Sequence, residues 1–273
     1  MPRVINPFNT GSYDESCPDR FIGRKREVNT ILSLLAGPGR GSSAISGPER
    51  IGKTWLLHHI ANPIVSRIWN LSSEHYHFLY LDSHNMASYA RTGLEVGFWQ
   101  YVLRDLAEYK IYTPDYIHSL LVNGFDPHDL DDLFDSIGKM GRLVILLLDE
   151  FDFVVDQSDP QMPSFLYSLR ALSSRPSRGL AMVVASREPL DELCQGIRFA
   201  GSPFYNIFTF VHLGKFSREE AEELIDKYLA GTGITFDQED REFLWQVSEK
   251  GHPYLLQVAC FKLFEGKLSG EVS

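Results

Sequence analysis

Gly47-Pro48-Glu49-Arg50-Ile51-Gly52-Lys53-Thr54 meets the pattern G-x-x-x-x-G-K-[ST] at every fixed position. The glycines allow a tight turn whose backbone N–H groups can aim at phosphate oxygens, and a helix opening behind them adds positive potential. Lys53 is expected to reach the β- and γ-phosphates, and Thr54 to give its hydroxyl to Mg²⁺. The candidate nucleotide contacts are therefore Gly47, Pro48, Glu49, Arg50, Ile51, Gly52, Lys53 and Thr54, with Trp55 next on the helix. The motif predicts a bound purine nucleoside triphosphate with Mg²⁺.

The flanks supply the context that this motif requires. Residues 42–46 read as a short strand before the turn, and residues 53–60 as a helix after it. Residues 143–148 are all Leu, Val or Ile, as expected of a central parallel strand covered on both faces. That run ends in Asp149-Glu150, a Walker B pattern. A rigid strand end can hold Asp149 beside the phosphate loop as the carboxylate of a metal shell, and Glu150 as general base toward water. Asp152 extends the acidic group. A further apolar run, residues 180–185, leads to Ser186 and Arg187, where a cation would face the γ-phosphate between the two Walker elements. The catalytic candidates are Glu150, Lys53 and Arg187; the metal candidates are Thr54 and Asp149.

Strand patterns at 77–81 and 207–213 bring the number to five, and helical patterns fall between them at 93–109, 129–140 and 164–172. An amphipathic helix over 24–35 precedes the first strand. Alternation of this kind predicts a three-layer α/β P-loop NTPase sandwich around a central parallel five-stranded sheet. After Gly214 only helices are expected, over 217–229, 237–250 and 253–264, with Ser217 and Glu220 as a capping box. The expected division is an extended lead-in over 1–20, a nucleotide-binding α/β domain over 21–213, and a small all-helical, lid-like domain over 214–273.

The 273 residues are 44% hydrophobic, enough for a full core. A net charge of −10, without a polybasic run, opposes a nucleic-acid footprint and a membrane-surface anchor. Cys17, Cys194 and Cys260 lie far apart, and none of the nine histidines has metal-ligand spacing, so neither a disulfide framework nor a zinc site is indicated. The aromatic residues of 76–80 and 204–210 read as strand packing. With no secretory leader pattern at the start, the expected setting is cytoplasmic.

Phe21-Ile22-Gly23-Arg24-Lys25-Arg26-Glu27 matches the hhGRxxE signature, and Gly251-His252-Pro253-Tyr254 resembles a GxP motif. In this order around the Walker elements they resemble the STAND-class P-loop ATPases, relatives of AAA+ proteins that include the NACHT and NB-ARC switches. The resemblance implies that Ile22, Gly23 and Arg24 pack near the adenine and that Pro253 closes the site from the helical domain. It implies that the nucleotide is ATP or ADP. It also implies a slow ATP hydrolase whose nucleotide state controls domain arrangement or assembly in signalling or defence, with effector and sensor domains outside this chain, or self-assembly, as partners. The winged-helix domain that such proteins carry next is absent here, and no arginine finger stands out among Arg175, Arg178 and Arg198. The alternative is a replication-initiator-like or transposition-helper AAA+ ATPase acting on DNA, which predicts a basic surface that the charge does not provide. A P-loop kinase fits less well, because Asp149-Glu150 and Arg187 follow the ATPase layout. Pathway, trigger, oligomeric state and ATP-versus-GTP preference are not encoded legibly.

Overall fold

The structure is a computed structural model, and it describes residues 5–8, 10–86, 93–155, 159–175, 177–199 and 201–270. Five strands form one parallel sheet: β1 (Ser42–Ser46), β2 (Tyr76–Asp82), β3 (Leu143–Asp149), β4 (Leu180–Ser186) and β5 (Phe208–His212). Their order across the sheet is β2-β3-β4-β1-β5. Register is continuous through the middle, with Leu148 opposite Val184 and Ser46 opposite Ser186. β1, β3 and β4 are buried at every position, the physical reason that their sequences are apolar or small apart from Asp149 at the end of β3.

Side-chain alternation divides the strands between two cores. Val144, Leu146 and Leu148 face one side, where they join Phe98, Trp99, Leu133, Phe134 and Phe165. These come from α5 (Leu94–Glu108), α7 (Pro127–Lys139) and α8 (Met162–Ser173). Leu143, Ile145 and Leu147 face the other side, packed on α1 (Lys25–Ala36) and α2 (Lys53–Ala61) through Ile31, Leu32, Leu56 and Leu57. The result is the expected three-layer sandwich. Short helices α3 (Pro63–Ile68), α4 (Ser83–Met86) and α9 (Leu190–Leu193) fill connections.

Helix α6 (Pro114–Asn123) was not anticipated from the sequence. Pro114 at its first position and buried Ile117 and Leu120 carry the signal, on a helix too short to show a long period. Arg178, one of the three arginines weighed as a finger, lies at the sheet–helix junction. It is buried against Asp131 of α7 at 2.6 Å and Asp135 at 3.3 Å, so it braces that junction and is not available to a neighbouring molecule.

Beyond β5 follow α10 (Arg218–Leu229), α11 (Gln238–Val247) and α12 (Pro253–Ser269). They surround a third core that includes Leu224, Ile225, Leu244, Leu256 and Phe264, and also Phe8 and Ile22 from the start of the chain. Ser217 and Glu220 form the capping box of α10. Among its described residues the lead-in has no strand but is packed: Phe8 stacks on Tyr228 at 5.5 Å and Phe236 at 5.9 Å. Gly251 has φ +96, and a Cβ there would lie 2.4 Å from the Phe216 carbonyl and 2.8 Å from Trp245. Only glycine suits that turn into α12.

Candidate nucleotide site

Parallel strands deliver their C-terminal ends to one edge of the sheet, and three of them converge there. β1 runs into the Gly47–Thr54 loop, β3 ends at buried Asp149, and β4, between them, ends just before Arg187. Thr54, in the first turn of α2, donates its hydroxyl to Asp149 Oδ2 at 2.7 Å. The two Walker elements are thus in direct contact.

Lys53 is buried and donates its ammonium to the carbonyls of Gly47 at 2.7 Å and Pro48 at 2.8 Å. Burial holds its pKa below the usual lysine range, while the Asp152 and Asp149 carboxylates pull the other way. The N–H groups of Glu49, Arg50 and Gly52 find no acceptor among the described residues. An unpaired cradle of donors around a desolvated cation suits an anion with several oxygens.

Glu150 adopts φ +51, left-handed for a residue with a side chain, and its carboxylate lies 2.5 Å from His84 Nε2. Its backbone N–H donates to Asp149 Oδ1 at 3.0 Å. Arg187 reaches Glu49 at 2.9 Å, and its backbone N–H donates to both Asp152 oxygens at 3.0 Å. Asp152 therefore fixes the loop that carries Arg187.

These groups line one cleft of about 840 Å³, within the range of small-molecule sites. Its floor is the phosphate loop and the acidic group. Pro253, Tyr254 and Gln257 of α12 form the opposite wall, and Thr10, Tyr13, Phe21 and Ile22 a third side. Of the expected contacts, Ile22, Arg24, Glu49 to Trp55, Asp149, Glu150, Arg187 and Pro253 are on this lining. Gly47, Pro48 and Gly23 stand behind it. Gly23 packs on Glu220 and Phe216, where a Cβ would approach to 2.7 Å. Arg24 turns its guanidinium to the carbonyls of Ile51 at 3.2 Å and Gly214 at 2.6 Å, with Phe216 beneath it at 4.8 Å. It joins the phosphate loop to the start of the helical region.

Three features of the cleft went unread in the sequence. Residues 10–13 contribute to it, with the Gly11 carbonyl accepting from Trp55 Nε1 at 3.1 Å. His84 meets Glu150. Tyr80, expected only to pack, donates its hydroxyl to Asp149 Oδ2 at 2.9 Å. An isolated tyrosine or histidine in a strand or its following turn has no spacing signature that marks such a role.

Residues 138–238 match the family model described as novel STAND NTPase 2. No curated protein matches the chain. Among solved structures, the Walker-type ATPase of Pyrococcus abyssi superposes with a TM-score of 0.68 at 13% identity, covering 96% of this chain and 73% of that one. The Aeropyrum pernix ORC2 protein, solved as ADPNP-ADP complexes, gives 0.64 at 17%, covering 97% and 67%. Drosophila ORC bound to DNA gives 0.62 at 16%, covering 100% and 65%. At these identities the solved structures speak to the fold. The family match covers residues 138–238, fewer than half of the 273.

Proposed function

We propose that this STAND-like chain binds ATP and ADP with Mg²⁺ in the cleft, hydrolyses ATP slowly, and uses the nucleotide to set the position of the helical region over residues 214–270. The observation that carries this reading is the cleft itself, whose walls come from the phosphate loop on one side and from Pro253 and Tyr254 on the other. A ligand filling it touches both, and so stabilises the closed arrangement by its differential affinity for it.

The donors of residues 49–52 and the Lys53 ammonium hold the phosphates. Thr54 and Asp149 serve the metal. Among the described residues no group of three or more His, Cys, Asp or Glu converges on one point. A Mg²⁺ ion therefore draws most of its ligands from phosphate and water, as is usual for this ion. Bound Mg²⁺ supplies charge neutralisation and a polarised phosphoryl group. Glu150 orients and deprotonates the attacking water once its carboxylate leaves His84, and Arg187, released from Glu49, faces the transferred group. Both catalytic side chains are held by other partners in this conformation, which accords with slow turnover.

The likeness to ORC proteins, one of them bound to DNA, raises a second reading in which the chain acts on DNA. The net charge of −10 opposes it. The first test is calorimetric titration with ADP and Mg²⁺. Wild type is expected to bind and Lys53→Ala to lose affinity by at least tenfold; equal affinity would remove the phosphate loop from the reading.

A further inference from the structure

Asp149 is almost wholly buried, and the chain already fills most of its accepting capacity. A carboxylate offers about four lone-pair sites, two on each oxygen. Oδ2 takes Thr54 at 2.7 Å and Tyr80 at 2.9 Å, and Oδ1 takes the Glu150 N–H at 3.0 Å. One site remains, on Oδ1.

Thr54 and the Glu150 N–H belong to the Walker elements themselves, whereas Tyr80 comes from β2, the edge strand beside β3. Its ring is clamped by His58 of α2, with centroids 4.5 Å apart. At 2.9 Å from a carboxylate oxygen, which can only accept, the Tyr80 hydroxyl is the donor. Because the strand end and two other hydrogen bonds already fix the Asp149 carboxylate, the Tyr80 bond adds little orientation. What it does is draw charge from Oδ2 and occupy the lone pair that a second metal-bound water would use.

We infer that Tyr80 is a positioning residue that restricts Asp149 to one Oδ1-side contact with the metal shell, and so sets the Mg²⁺ concentration at which nucleotide binding tightens. This rests on the reading of the cleft as a Mg²⁺-nucleotide site. It assigns to Tyr80 a weakening role: the tyrosine keeps the carboxylate from gripping the metal through both oxygens.

The test is calorimetric titration of ADP into wild type and Tyr80→Phe, first in EDTA and then over a Mg²⁺ series. Phenylalanine keeps the ring and its stacking on His58 while deleting the donor. ADP affinity in EDTA is expected to agree within about twofold, and the Mg²⁺ midpoint to fall about three- to tenfold in the variant, the size of a typical net hydrogen bond. A midpoint that is unchanged or raised overturns the inference, including the case in which only the melting temperature moves, as it would for a purely structural tyrosine. If wild type binds no ADP at any Mg²⁺ concentration in the series, the nucleotide reading itself fails and takes this inference with it.

Discussion

The Arg50 guanidinium lies 4.5 Å from the centroid of the Tyr254 ring, so the phosphate loop and the first turn of α12 touch directly. Arg24 makes a second bridge through Ile51 and Gly214. The helical region therefore rests on the phosphate loop itself. Any change in loop conformation that displaces Arg50 or the Ile51 carbonyl is felt at α12.

Gly251→Ala should disturb that arrangement from the far side. The substitution demands a left-handed backbone from alanine and pushes a methyl into the Phe216 carbonyl and the Trp245 ring. A loss of about 2 kcal/mol or more is expected, read as a lower melting temperature. An unchanged melting temperature would mean that the turn can relax in a way the close contacts do not suggest.

Glu150 and His84 make a kinetic pair. Glu150→Gln retains size and leaves Asp149 in place, so nucleotide affinity should persist while hydrolysis falls by about 10²-fold or more. His84→Ala removes the partner that holds the Glu150 carboxylate. Phosphate release should then speed up severalfold with little change in KM. Equal turnover in Glu150→Gln and wild type would place the general base elsewhere, and slower turnover in His84→Ala would make His84 a supporting group, not a restraint.

Much of this was legible beforehand, for a physical reason. The buried strands β1, β3 and β4 carry apolar or small residues, Asp149 apart, because both faces are covered, and the phosphate loop needs fixed glycines and a fixed lysine. Such requirements leave a trace in one sequence. Tyr80, His84 and residues 10–13 leave none, since their roles come from pairings between segments far apart in the chain. Phe8 looked like part of a polar lead-in, yet it fills a core assembled from α10 and α12. Arg178 looked accessible because its two partners, Asp131 and Asp135, lie more than forty residues upstream.

His59 predicts a pH dependence of stability. Burial of its ring, stacked 4.0 Å from Phe21, lowers its pKa from 6.5 to about 4, and the Asp19 charge opposes this weakly. Its Nδ1 pairs with the Tyr13 hydroxyl at 3.0 Å. Between about 6.5 and about 4 the unfolded chain binds a proton here that the folded chain refuses. Stability therefore rises with pH in that window and is lost on acidification. After discounting for the partly exposed ring, the effect is about 1 kcal/mol. His59→Asn, which can keep an acceptor toward Tyr13, should show a shallower fall in melting temperature over the same window. Parallel curves would remove His59 as the source.

Whether nucleotide is read by both walls of the cleft is decided most directly by hydrogen exchange, with and without ADP and Mg²⁺. Slower exchange is expected at two places far apart in sequence: the loop from Glu49 to Thr54, and the start of α12 from Gly251 to Gln257. Tyr254→Leu, which removes the ring under Arg50, should weaken protection at α12 while leaving the loop mostly protected. Protection confined to the loop, with α12 exchanging at the same rate in both states, would contradict the claim that the helical region responds to the nucleotide.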